Sequence, residues 1–89
     1  MDKIKYRAKY HKWRKENNYS IITNDNLELF FLDDISTEVY ALFIEPKDLG
    51  EIVKILIDEL GYDVKKEVLQ RDVKVLVTQL ISLNLMEVI

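Results

Sequence analysis

Residues 26–34, "NLELFFLDD", restrict the folds open to this chain more than any other stretch. In extended backbone Leu27, Leu29 and Phe31 fall on one face, while Phe30 and Leu32 fall on the other. Only Glu28 interrupts an apolar run that ends on Asp33 and Asp34. A strand apolar on both faces normally lies deep in a large sheet. With 89 residues, the chain has room for one domain with a single modest core, and not for such a sheet. Something else must cover this strand.

The flanking sequence supplies its neighbours. Residues 5–10, "KYRAKY", alternate basic residues with Tyr6, Ala8 and Tyr10, the period of a half-buried strand. The alternation slips at His11–Lys12, which predicts a bulge or the join of two short strands. A helix competes for this stretch, because Tyr6, Tyr10 and Trp13 also recur at spacings of four and three. Asn17–Asn18 favours the strand, since Asn tolerates the left-handed backbone of tight hairpin turns. "YSIIT" (19–23) then returns as a β-branched strand, residues 24–26 turn again, and 27–32 become the third strand of a meander.

Beyond Asp33 the apolar period becomes helical. Asp33 caps a helix with Ile35, Val39, Leu42 and Phe43 as its stripe, and Pro46 stops it. "DLGE" (48–51) reads as a capping box opening a second helix. Leu49, Ile52, Leu56 and Leu60 form its stripe and Gly61 its left-handed stop. A third helix runs from Lys65 or Lys66 to about Leu83, with Leu69, Val73, Leu76, Leu80 and Leu83 inward and Asn84 as its stop. The expected fold is α+β and winged-helix-like: a three-stranded antiparallel β-meander followed by three α-helices.

Few residues offer chemistry. Without cysteine there is no disulfide framework, thiolate nucleophile or Cys-based zinc site. His11, the sole histidine, has no Ser or Cys partner at a recognisable spacing. Asp33, Asp34 and Glu38 read better as helix-terminal acids than as a metal cluster. Two glycines cannot build a phosphate loop. The expectation is a non-catalytic chain without cofactor or metal. No apolar stretch approaches the ~20 residues that span a bilayer, and none resembles a signal peptide, so a soluble cytoplasmic protein is expected.

Charge is uneven. Residues 1–16 carry seven Lys/Arg against two acids, giving +5, and the rest carry six against fourteen, giving −8. A basic arm on an acidic body invites a nucleic-acid reading. The third helix argues against it, because Lys65, Lys66, Arg71 and Lys74 are offset by Glu67 and Asp72. Val68, Val75, Val77 and Ile81 instead widen its apolar surface.

If the third strand lies at a sheet edge, nothing in 27–32 but Glu28 protects it, since there is neither Lys nor Pro. An open edge beside an apolar helix flank makes a groove for an extended peptide. The residues alone leave open whether the cover is such a peptide, the chain's own helices or a second copy. The candidate peptide-binding set is Leu27, Glu28, Leu29, Phe30, Phe31 and Leu32 on the strand, with Val68, Asp72, Val75, Leu76 and Gln79 on the third helix.

"FFLDDISTEVYALF" (30–43) resembles the strand-to-helix segment of the RiPP recognition element family, the PqqD-like peptide-binding domains. Phe30, Leu32, Asp33, Val39 and Tyr40 fall on that family's places without a gap, with Asp33 for its usual Asn and Tyr40 for its Trp. "EIVKILIDELGYDV" (51–64) and "RDVKVLVTQLISLNLME" (71–87) resemble its next helices, with Asn84 for the usual Gly. Residues 10–88 are covered in the right order. The resemblance implies a domain that binds the leader segment of a ribosomally made precursor peptide as an added strand. It would present that peptide to a modifying enzyme such as a radical SAM maturase or leader peptidase. The alternatives are a winged-helix nucleic-acid regulator using the 1–16 arm, and a plain dimerisation module.

Overall fold

The computed structural model describes residues 3–10 and 12–89, so the slip at His11 falls partly outside the described residues. Within them the order is β1 (Lys5–Ala8), β2 (Arg14–Lys15), β3 (Tyr19–Thr23), β4 (Leu29–Asp33), α1 (Asp34–Ala41), β5 (Lys47–Asp48), α2 (Leu49–Asp58), α3 (Lys66–Ser82) and β6 (Met86–Val88). The class is α+β, with two antiparallel three-stranded sheets ordered β5-β1-β6 and β2-β3-β4.

This corrects the expected meander. Its second and third strands are β3 and β4, but its first is the two-residue β2, with Arg14 opposite Ile21. "KYRA" belongs to the other sheet, where Lys5 pairs with Asp48 and Ala8 with Met86. The chain leaves one sheet at Ala8 and enters the other at Arg14, so the alternation of β1 does not continue into β2. Ala8 is buried and Tyr6 packs on the core, so the strand period holds over β1; the strand ends at Ala8, and Tyr10 packs on the core from beyond it. β5 and β6 are further departures: neither was expected, and β6 turns back after α3 to close the second sheet on β1.

Asp33 caps α1 by accepting from the Ser36 N–H at 2.7 Å. The capping box at α2 is complete: Asp48 accepts from the Glu51 N–H at 2.8 Å, and Glu51 accepts from the Asp48 N–H at 3.0 Å. Those N–H groups hold both aspartates below the ordinary carboxylate range. A lowered folded-state pKa means that each cap contributes at neutral pH and is lost as pH falls below 3.8. Gly61 and Asn84 both take the left-handed backbone expected of them. Around Asn84 the Leu85 N–H reaches the Leu80 carbonyl at 2.9 Å and the Asn84 N–H reaches Ile81 at 3.0 Å, a Schellman closure.

Three helical expectations need correction. α1 stops at Ala41, before the Pro46 barrier, and Leu42 and Phe43 follow it in a turn. Ile35 leaves its stripe and is 63% exposed. Val77 on α3 is buried rather than on an outer flank. The core gathers Val39, Tyr40 and Phe43 with Ile52, Val53, Leu56, Val73, Val77 and Leu80, closed below by Ala8, Ile22 and Leu85.

The turn chemistry also differs. Neither Asn17 nor Asn18 is left-handed; that conformation falls on Leu27, with φ 63° and 83% exposure. A leucine there strains its Cβ against the backbone at a cost of about 1–2 kcal/mol. Leu27→Gly should therefore raise stability by roughly 0.5–1 kcal/mol, after the added freedom of the unfolded chain is subtracted. Chemical denaturation measures this directly; a destabilised variant would show that the Leu27 backbone is unstrained.

Four cations of the basic arm pair with acids of the body. Lys5 pairs with Glu51 at 3.7 Å, Arg7 with Glu87, Lys9 with Asp25 at 4.0 Å and Lys15 with Asp34 at 3.1 Å. Each such exposed pair contributes at most about 1 kcal/mol, but together they orient the arm on the acidic body. Among the described residues no helix is long and apolar enough to cross a membrane.

Candidate functional site

Among the described residues β4 is the outer strand of its sheet, with only β3 beside it. The Asn24 N–H donates to the Glu28 carbonyl at 3.2 Å, and antiparallel bonding then recurs at every second pair. The register Ile22–Phe30 and Ser20–Leu32 thus carries the ladder to β3. By the same alternation Leu29, Phe31 and Asp33 turn their N–H and C=O groups away from β3. The side chains divide likewise: Leu32 is buried and Phe30 packs on the core, whereas Leu29 and Phe31 are 58% and 66% exposed.

One hydrogen bond and one groove relate the ends of β4 to α3. At one end, the buried Asn24 of the β3–β4 turn donates its amide to the Leu83 carbonyl at 3.0 Å. Its Oδ1 accepts from the Asn26 and Glu28 N–H groups at 2.9 and 3.1 Å. At the other end, Ile35, just past β4, stands across a groove from Val75, Leu76 and Gln79 of α3. Asn24→Ala removes the hydrogen bond and leaves the Leu83 carbonyl unpaired. It should lower stability by about 1–2 kcal/mol and broaden amide signals along β4. Unchanged melting and sharp β4 signals would show that the staple carries nothing.

The groove has a volume of about 490 Å³. Ile35, Ser36 and Val39 of α1 form one wall, and Leu69, Asp72, Val73, Val75, Leu76 and Gln79 of α3 the other. Leu56 lies on its floor, and Tyr62 and Val64 of the α2–α3 loop close its end. Tyr62 is fixed by donating its hydroxyl to Glu38 at 2.9 Å; burial, and then this carboxylate, raise its pKa. Among these lining residues the only carboxylate is Asp72, beside Arg71 at 3.7 Å. The groove can hold bulky apolar side chains, with Ser36, Gln79 and Asp72 to orient polar neighbours.

The structure divides the expected site residues. Asp72, Val75, Leu76 and Gln79 line the groove, and Leu29 to Leu32 form the edge strand. Val68 is half-buried and off the wall; Val64 closes the groove instead. Leu27 and Glu28 precede the strand, in a turn where the Glu28 carboxylate accepts from Asn24 at 3.0 Å. Ile35, Ser36, Tyr62 and Val64 were missed. Ile35 sits four residues before Val39, so helical spacing assigned it to the core stripe. No comparison identifies a relative: the chain matches no protein-family model, curated protein or solved structure.

The acids read as an alternative metal cluster have separate partners. Asp33 caps α1, Asp34 pairs with Lys15, and Glu38 accepts from Tyr62.

Proposed function

We propose that the chain is a non-catalytic adaptor that binds an extended peptide along β4 and the α3 groove. The ligand class is the leader segment of a ribosomally made precursor, presented to a separate modifying enzyme in the cytoplasm. One observation carries this reading. An edge strand with outward N–H and C=O groups at Leu29 and Phe31 leads, two residues past its end, into Ile35 on the wall of an apolar groove of peptide side-chain size. The β2–β3–β4 meander followed by α1, α2 and α3 also supports a winged-helix-like arrangement of the resembled family. The pairing of Lys5, Arg7, Lys9 and Lys15 with body acids favours peptide over nucleic acid as the ligand.

As an adaptor, the chain lowers the apparent KM of its enzyme by raising local substrate concentration. The same free edge also suits a second copy of the chain, which is the competing reading. The test is an amide-shift titration with synthetic N-terminal segments of short reading frames encoded beside the gene. Perturbations are expected at Leu29–Asp33 and Val75–Gln79. Shifts confined to residues 3–16 would overturn the proposal. A concentration-dependent dimer with protected β4 amides that no peptide disrupts would favour self-pairing.

A further inference from the structure

We infer that the bound strand is read on both of its faces, and that its recognition element is three consecutive apolar residues. This rests on the peptide-binding reading and adds a second contact surface to it. Residues directly opposite one another in neighbouring strands point to the same side of a sheet. β4 bonds outward through Leu29 and Phe31, so a ligand residue paired with Phe31 lies on the sheet's outer face, away from the helices. There it meets an apolar surface already built: Phe31, with Tyr19 edge-to-face at 5.7 Å, Leu29 two residues along, and Ile21 opposite. The ligand residues on either side of it face the helical side, the side of Phe30 and Leu32, and the wall of the α1–α3 groove begins at Ile35, three residues past Leu32.

A ligand held only in the groove would be amphipathic, apolar at alternate positions, and would leave Phe31 and Leu29 as exposed as they are now. A contiguous triad covers both sides of β4. Its central residue is bulky, aromatic or branched, because it must span Phe31 and Leu29 rather than enter a cavity.

Random dodecapeptides displayed on phage, selected on the immobilised full chain and on its Phe31→Ser, Leu29→Ser and Val75→Glu variants, test this. Circular dichroism first establishes that each variant is folded; Leu29→Ser serves if Phe31→Ser is not. On the unaltered chain, enriched peptides should share three consecutive apolar residues. Changing the central one to Ser should weaken binding about five- to tenfold. On Phe31→Ser the flanking pair should persist while the central preference disappears, and Phe31→Leu should restore it. Enrichment of alternating peptides, identical on the unaltered and Phe31→Ser chains but lost on Val75→Glu, would overturn this inference and leave the groove reading standing. No enrichment, or enrichment indifferent to all three variants, would overturn both.

Discussion

Tyr40→Phe should lower the stability of the chain by about 1–3 kcal/mol while leaving its fold unchanged. Tyr40 has 0% exposure, and its hydroxyl joins three parts of the molecule. It donates to the Leu85 carbonyl at 2.8 Å and accepts from the Tyr10 N–H at 3.2 Å. Those partners lie beyond α3 and beyond β1, so one oxygen holds α1 to the segments leading into β6 and out of β1. Phenylalanine fills the ring volume and keeps the edge-to-face contact with Trp13 at 5.6 Å, but it leaves the Tyr10 N–H unpaired and takes one of two donors from the Leu85 carbonyl, which keeps the Lys9 N–H at 3.0 Å. Tyr40→Ala should cost about 3–5 kcal/mol, because a cavity is added to the lost bonds. For a domain of this size each kcal/mol lowers Tm by about 4–8 °C, so melting curves separate the two variants.

The same residue sets a limit at high pH. Burial pushes the Tyr40 pKa up to about 12 from 10.0, so the folded state favours the neutral phenol. Its contribution is intact below pH 10 and is lost as pH rises toward 12. The alkaline loss of stability should therefore be shallower in Tyr40→Phe. Identical melting at pH 7 and identical alkaline profiles would show that the two bonds contribute nothing.

Much of this arrangement was legible in the sequence where one local rule acted alone. Asp33, Asp48 with Glu51, Gly61 and Asn84 mark helix ends through hydrogen-bonding chemistry that operates within a few residues. The apolar spacing of α2 and α3 located most of their inward faces for the same reason, but Leu60, given to the α2 stripe, lies past the helix end and is 45% exposed. The errors occur where two rules compete or where contacts are distant. Tyr6, Ala8 and Tyr10 showed a strand but not its partners, because β1 pairs with β5 and β6, about 40 and 80 residues away. Val77 was placed outside because a single stripe was drawn on α3, whereas packing against α2 covers a wider face. Ile35 was placed inside because spacing does not reveal that β4 delivers the first turn of α1 to a groove wall. The apolar strand at 27–32 is covered on one side only: Phe30 and Leu32 pack on the core, whereas its outer face and edge are open among the described residues. What could not be read was the closed end of the groove, supplied by Tyr62 and Val64 from a loop with no period of its own.

Val75→Glu should weaken binding of a cognate leader peptide by roughly 10–100-fold, about 1–3 kcal/mol, without destabilising the fold. Val75 lines the groove yet is 52% exposed, so in the free chain a carboxylate there remains hydrated. Glutamate is also a better helix former than valine, and a surface substitution of this kind changes stability by no more than about 0.5 kcal/mol. The penalty appears only when an apolar ligand side chain excludes water from the new charge. Asp72, one turn earlier on the same wall, adds repulsion and offers no partner. Phe31→Pro provides the complementary change at the edge, removing an outward N–H while sparing the Ile22–Phe30 and Ser20–Leu32 bonds to β3. Phe31→Pro removes the ring as well as the N–H, so the backbone bond is its loss beyond that of Phe31→Ser; both Val75→Glu and Phe31→Pro should weaken binding while the meander persists. Titrations of both, with amide shifts reporting the fold, decide the point. If Val75→Glu binds as tightly as the unaltered chain while Phe31→Pro does not, the peptide uses the edge of β4 alone, and the α3 groove serves some other ligand.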